Sequence, residues 1–308
     1  MESDQTLLQV DLRVDYPNKP SALRGVSFRM QRGEVLGLVG ESGSGKSTIA
    51  LALLGLLGCK DGRAIGHIVF QGRDLMKASE REMQRVRGRE IGLVMQSPLA
   101  SLNPALRIAT QLGEAWGAHA KGDASARTEA VCRALERVGL PNDEEFRRRY
   151  PSQISVGQAQ RVLIAMAAMH MPALLIADEP TSALDAVTQM EILNMVASLN
   201  REMGTAVLYI SHDLQSVASI CQRIAILHDG EMVECGRTEA ILLRPQHPYT
   251  QRLLACVPWL RSHAFPSEGV AQSAARGSEE WTVSIDTQSP PVPMVPGLKS
   301  RCHPPMGY

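Results

Sequence analysis

Gly40-Glu-Ser-Gly-Ser-Gly45-Lys46-Ser47 puts three glycines, three serines and a lysine into one short run, after the apolar stretch Val35–Val39 and before a segment with helical spacing. Glycines let backbone N–H groups approach phosphate oxygens, and the first turn of a following helix adds its partial positive charge, so a polyanion is held by the geometry itself. Gly40, Ser42, Gly43, Ser44, Gly45, Lys46, Ser47 and Thr48 are therefore expected to wrap the phosphates of a nucleotide, with Lys46 neutralising the β- and γ-phosphates and Ser47 ligating Mg²⁺. A Gly/Ser-rich surface turn accounts for the glycines but has no need of Lys-Ser at that place.

A second constellation lies far along the chain. Leu174-Leu-Ile-Ala177-Asp178-Glu179 is an apolar strand emerging into two carboxylates. Beside a phosphate loop, Asp178 is expected to hold the Mg²⁺ shell, while Glu179, one residue on, points elsewhere and can polarise an attacking water. Without the loop, the same dipeptide would read as a solvated strand end. Together the two motifs define a P-loop nucleotide hydrolase, a class that spans kinases, GTPases and motors, so other residues must choose among these.

The elements that position these groups follow from periodicity. Leu8, Val10, Leu12 and Val14 alternate with polar residues, and Val26–Met30 and Val35–Val39 also read as strands. A helix is expected from Ser47 to about Leu57, then strands near Ile68 and Ile91 flanking a charged helix from Ser79 to Val86. From Ala105 to Met169 helical spacing takes over, as in Val131, Leu135 and Val138. Strand and helix then alternate again: Leu174–Ala177, a helix carrying Ile192, Val196, Leu199 and Met203 and ended by Gly204, and the strand Ala206–Ile210. That alternation predicts a parallel sheet covered on both faces. Asp229-Gly230 between Ile224–Leu227 and Met232–Glu234 suits a tight hairpin.

Composition narrows the class. The 32 basic and 32 acidic residues cancel, so the chain lacks the basic excess of a nucleic-acid binder. The six cysteines form no CxxC pair, which points away from a disulfide framework or zinc site and fits a reducing cytoplasm. The polar start Met1-Glu-Ser-Asp-Gln is unlike a secretory signal. The most apolar run, Val162–Ala177, is broken by His170 and Pro172 and is too short to cross a bilayer. The neighbouring Met166, Met169, His170 and Met171 read as core filler rather than metal ligands.

Five further segments carry a family resemblance. Ile154-Ser155-Val156-Gly157-Gln158 stands where ABC transporter ATPases have Leu-Ser-Gly-Gly-Gln, a segment absent from kinases and GTPases. Thr181-Ser-Ala-Leu-Asp185 resembles the D-loop, Tyr209-Ile-Ser-His212-Asp the switch whose histidine reaches the γ-phosphate, and Gln96 the Q-loop residue that senses Mg²⁺ and the attacking water. Tyr16 is similar in placement to the aromatic residue that stacks on adenine.

The resemblance implies an α/β fold: a P-loop ATPase core with a mostly parallel sheet, an N-terminal antiparallel β subdomain and an inserted helical subdomain. It implies ATP and Mg²⁺ as cofactors, with Ser47, Gln96 and Asp178 around the metal and Glu179, His212 and Gln96 as the catalytic groups. Ser155, Gly157 and Gln158, with Asp185, would meet the nucleotide held by a second subunit. The division it suggests is 1–96 with 170–243 as core, 97–169 as helical subdomain and 244–308 as a C-terminal extension.

Gln96-Ser-Pro-Leu-Ala-Ser-Leu-Asn103-Pro104 and Arg244-Pro-Gln-His247-Pro248-Tyr249-Thr250 resemble the dipeptide, oligopeptide and nickel importer branch. That branch implies two transmembrane permease subunits, a second, non-identical ATPase subunit, an extracytoplasmic substrate-binding protein, and a peripheral place on the cytoplasmic face of the cell membrane, with no nucleic-acid partner. Peptides, nickel or metal chelates and opines are all open as cargo. An accessory ATPase of a soluble complex such as carbon-phosphorus lyase would share the motifs. Val156 adds a branched side chain where the family has glycine. Beyond Trp259 the composition of Ser, Pro, Gly and Gln predicts a partly disordered tail. Pro296–Cys302 resembles the opening of an iron-sulfur motif, but a cluster needs about four thiolates and the segment holds a single cysteine, so none is expected.

Overall fold

The computed structural model describes residues 6–182 and 184–257. The expected tail disorder, Cys302 and the first five residues lie outside the described residues, as does Ala183 of the D-loop segment.

Two antiparallel strands, β1 (Thr6–Tyr16) and β2 (Lys19–Gln31), open the chain and lead into β3 (Val35–Val39) and α1 (Lys46–Leu53). α1 is shorter than its apolar pattern suggests, because the chain turns at Gly55, which adopts φ +63°, before a short 3₁₀ turn. β4 (Arg63–Phe70), β5 (Arg73–Asp74), α2 (Glu80–Val86) and β6 (Ile91–Val94) come next. Ser79 and Glu82 form a reciprocal capping box that starts α2.

Between β6 and β7 (Leu174–Asp178) every regular element is helical: α3 (Pro98–Ser101), α4 (Ile108–Gly117), α5 (Ala124–Arg137), α6 (Glu144–Arg148) and α7 (Val156–Ala167). After β7 come α8 (Ala186–Met203), β8 (Ala206–Ser211), α9 (Leu214–Ile220), β9 (Arg223–His228), β10 (Glu231–Arg237), α10 (Thr238–Leu243) and α11 (Pro248–Ala255). Gly204 ends α8 in the left-handed region, and Asp229 and Gly230 turn the β9–β10 hairpin with φ of +47° and +77°.

All ten strands lie in one order, β5-β4-β1-β2-β10-β9-β3-β8-β7-β6. The run β9-β3-β8-β7-β6 is parallel, whereas β5-β4-β1-β2 is antiparallel and joins through a single pairing of Glu231 with Gly25. Both faces of the parallel run are buried, and side-chain alternation divides it cleanly. Val35, Leu175, Ala177, Val207, Tyr209, Ile224 and Ile226 face the helices between β6 and β7 together with α8 and α9. Leu36, Leu38, Leu174, Ile176, Leu208, Ile210 and Ala225 face α1 and the antiparallel strands. The expected Val131, Leu135 and Val138 are buried in the first of these cores. Among the described residues no helix is long and apolar enough to cross a membrane.

One close approach ties the helical region to the sheet. A Cβ on Gly92 in β6 would stand 2.4 Å from the carbonyl oxygen of Ala167, the last residue of α7. Only a residue without a side chain lets that helix end rest on the strand. Gly92→Ala forces backbone apart rather than a flexible side-chain tip, an overpacking that costs about 1–3 kcal/mol. Urea unfolding should show a correspondingly lower midpoint with an unchanged slope.

Candidate nucleotide-binding site

Strand register builds the site. Val94 pairs with Ala177, Asp178 with Ile210, and Val39 with Ser211, so β6, β7, β8 and β3 end within two rungs of one another. The residues just past these strand ends are therefore delivered to the same edge: Gln96, Glu179, His212 and the Gly40–Ser47 loop. This edge is where a parallel sheet places its ligands, because the connection after β3 leaves for a distant strand and opens a crevice.

A cleft of about 660 Å³ lies there, lined by Tyr16, Lys19, Ala22, Glu41, Ser42, Gly43, Gly45, Lys46, Ser47, Thr48, Gln96, Glu179 and His212. α1 starts from Gly45, at φ +111° and with no side chain capping the first turn, so its leading N–H groups keep their capacity for an anion. A Cβ at Gly45 would also meet the tip of Leu23 at 2.5 Å and the Ala22 carbonyl oxygen at 3.1 Å. Gly40 closes against β9, where a Cβ would stand 2.2 Å from the Leu227 carbonyl oxygen.

Lys46 is only 6% exposed, and its ammonium donates to the carbonyls of Gly40 at 2.7 Å and Glu41 at 2.9 Å. Burial lowers its pKa, against the opposing pull of Glu179, Asp178 and Glu41. Asp178 is pushed the other way: burial raises its pKa, a hydrogen bond with Ser47 opposes this, and Glu179 adds to it. A carboxyl and a hydroxyl already in contact, in surroundings that disfavour an isolated negative charge, suit a hard dication. Ser47 and Asp178 are thus the residues present that fit Mg²⁺. The hydroxyl of Ser44 is buried without a partner, on the side of Gly40 that faces Leu227 rather than among the residues lining the cleft.

The three catalytic candidates are in direct contact. Gln96 donates its amide N–H to one carboxylate oxygen of Glu179 at 2.8 Å, and His212 Nδ1 lies 3.1 Å from the other. Glu179 adopts φ +48°, a left-handed conformation that a non-glycine residue rarely takes and that turns its carboxylate away from the direction of Asp178. Its N–H is satisfied by Ile210 O at 2.9 Å, which holds the turn against β8.

Tyr16 ends β1, and its ring sits where a Cβ on Gly62 would come within 2.6 Å of Cε1. The register pairs it with Lys19, whose ammonium donates to Gly43 O at 2.5 Å. Lys19 lines the cleft although it belongs to none of the sequence motifs. The hairpin Tyr16-Pro-Asn-Lys19 was its only signal, since it pairs the lysine with an aromatic residue already singled out.

Ser155, Gly157, Gln158 and Asp185 do not line this cleft. They form a second cluster where α7 meets α8. The Ser155 hydroxyl accepts from the N–H of Gln158 at 3.1 Å, and the Gln158 side chain accepts from the N–H of Ser155 at 3.1 Å. A Cβ on Gly157 would stand 2.7 Å from Thr188 Cγ2, and Thr188 in turn donates its hydroxyl to Asp185 at 2.7 Å. Hydrogen bonds from the Thr188 backbone and hydroxyl hold the Asp185 carboxyl below its usual range. Arg161 bonds Glu191 at 2.7 Å and completes the α7–α8 lock. Val156, the first residue of α7, is exposed beside Gly157, and Val187 and Met190 of α8 are exposed as well.

Comparison with known proteins agrees with this geometry. The family model described as ABC transporter matches residues 23–182, and one described as oligopeptide/dipeptide transporter, C-terminal region, matches residues 233–278. The chain is 43% identical over 248 residues to the oligopeptide transport ATP-binding protein OppD of Bacillus subtilis, covering 80% of this chain and 69% of that protein. It is 42% identical over 246 residues to the dipeptide transport ATP-binding protein DppD of the same organism, covering 80% and 73%. The fold also matches a dimeric ATP-binding cassette in a post-hydrolysis state bound to ADP and Pi, with a TM-score of 0.64 at 28% identity over 76% of this chain and 98% of that one. On these grounds, the chain belongs to the ABC transporter family and is an ATP-binding subunit whose ATP hydrolysis is coupled to transport.

Proposed function

We propose that this subunit energises the import of peptides, working at the cytoplasmic face of the cell membrane with two permease subunits, an extracytoplasmic binding protein and a second, non-identical ATPase. The observation that carries the peptide reading is the match of residues 233–278 to the C-terminal region of oligopeptide and dipeptide transporters. OppD and DppD, named for oligopeptide and dipeptide transport, support it.

In this reading the cleft takes one ATP. The first turn of α1, the Gly40–Gly45 loop and Lys46 bind the phosphates, Tyr16 stacks on the base, and Thr48 lies beside Ser47 at the helix start. Mg²⁺ held by Ser47 and Asp178, with Gln96 nearby, would spread the charge of the β- and γ-phosphates. Glu179 takes a proton from water as the water oxygen attacks the γ-phosphorus and the bond to the β-phosphate oxygen breaks. Gln96 and His212 fix the carboxylate in one orientation for that step.

Ser155, Gly157, Gln158 and Asp185 face the nucleotide of the partner ATPase rather than their own, which accounts for their distance from the cleft. The helices at 97–169 act as the body that moves against the core when the γ-phosphate arrives, with Gln96 at the junction. ATP drives closure because it binds the closed pair more tightly than the open one.

Glu179→Gln keeps the size of the side chain and one acceptor oxygen but removes the base. ATP hydrolysis by the assembled pump should fall by about 10² to 10³ or more, while ATP affinity, measured by titration, stays near that of the parent. Lys46→Ala should weaken nucleotide binding itself. If the parent chain shows no nucleotide affinity in the presence of Mg²⁺, the reading fails.

Val156 carries the asymmetry. At the first position of α7, its branched side chain stands where the partner's γ-phosphate must approach the helix start. The site built from this chain's phosphate loop and the partner's signature is then the efficient one, and the reciprocal site is blunted. Val156→Gly should raise ATP turnover in the reconstituted transporter, and an unchanged rate would remove the argument for unequal sites.

A further inference from the structure

We infer that the segment Arg244–Thr250 is a brace for the phosphate loop, with Tyr249 as a positioning residue for nucleotide binding. The inference rests on reading the cleft as the ATP site and adds a role for a segment that lies outside it.

Bonds from Lys46 and Ser44 hold the loop from within, and a second support comes from outside it. Its outer side leans on the β9–β10 hairpin, where Gly230 N donates to Ser44 O at 3.1 Å and the Leu227 carbonyl fills the space a Cβ on Gly40 would need. Any displacement of this hairpin therefore moves Gly40 and Ser44 with it.

The hairpin is in turn held from behind. The His228 ring at the end of β9 stacks on Tyr249 with centroids 3.8 Å apart and planes at 20°. Tyr249 is 4% exposed, and its hydroxyl, also buried, closes no hydrogen bond. Burial, and next to it the charge of Glu41 in the phosphate loop, push the hydroxyl's pKa up. One aromatic side chain thus touches the hairpin and stands beside the loop.

Three features fix Tyr249 in that place. Glu234 of β10 accepts the backbone N–H groups of Gln246 at 2.9 Å and His247 at 3.1 Å. His247 Nδ1 accepts from the N–H of Tyr249 at 3.2 Å, capping α11, and Pro248 opens that helix at its first position. Thr250 is fully buried. The order His-Pro-Tyr is thereby explained residue by residue: the histidine caps, the proline starts the helix, and the tyrosine is delivered onto His228.

A preorganised loop binds more tightly than one that must be ordered by its ligand, so losing the ring should show in affinity. The test is calorimetric titration of the full chain with ADP, together with amide hydrogen exchange of residues 40–47. Tyr249→Ala should weaken ADP binding about tenfold and speed exchange in the loop, while exchange in β1 and β2 is unchanged. Tyr249→Phe keeps the stacked ring and should restore both readouts to within about twofold of the parent. A general structural role would instead raise exchange throughout and leave no contrast between loop and distal strands.

Should Tyr249→Ala fail to fold, Glu234→Ala releases the segment while keeping the ring and should give the same pair of shifts. An ADP affinity within twofold in the alanine variants, or a phenylalanine variant as weak as alanine, overturns the brace. A parent chain that binds no ADP would sink the nucleotide reading alone. The exchange contrast would then decide the brace by itself.

Discussion

Four strand ends within two rungs of one another are the constraint on which the site depends. Val94, Asp178, Ser211 and Val39 end on neighbouring rungs of a parallel sheet, and parallel pairing admits no other way to bring Gln96, Glu179, His212 and the phosphate loop together from positions so far apart in sequence. A one-residue slip of β7 would invert its faces, burying Asp178 and turning the Leu175 and Ala177 side towards the wrong core. The apolar filling of both faces is thus also what holds Gln96, Glu179 and His212 in register.

Around that edge the structure keeps polar groups in tension. Lys46 is buried with its ammonium on backbone carbonyls, Asp178 is half-buried beside Ser47, and the start of α1 has no side-chain cap. Each is costly alone, and under the proposed function each would be relieved by the same ligand, a magnesium-bound polyphosphate. Glu179 adds a left-handed backbone at the point where a carboxylate must be re-aimed within one residue of Asp178. One left-handed non-glycine residue, Glu179, and one uncapped helix start thus lie at the edge where a nucleotide would enter.

The second cluster is organised differently. Ser155, Gln158, Gly157, Thr188 and Asp185 satisfy one another, so the α7 and α8 helix starts form a preassembled, rigid face. The brace formed by Tyr249 and the β9–β10 hairpin gives the phosphate loop comparable support from the opposite direction.

Much of this was legible in residue order. The phosphate loop, the carboxylate pair, the alternating strands, the Asp229-Gly230 hairpin, the Gly204 helix stop and the helical stretch between β6 and β7 each rest on local chemistry: φ freedom, side-chain period and capping act within a few residues. Tertiary structure decided what depends on register and crossover. It set β3 between β8 and β9 and bonded Gln96 and His212 to opposite oxygens of Glu179. It also paired Lys19 with Tyr16, placed Gly157 against Thr188 and brought Tyr249 to His228. These contacts join residues that local propensity leaves independent, and only the packing of distant segments onto one sheet selects them.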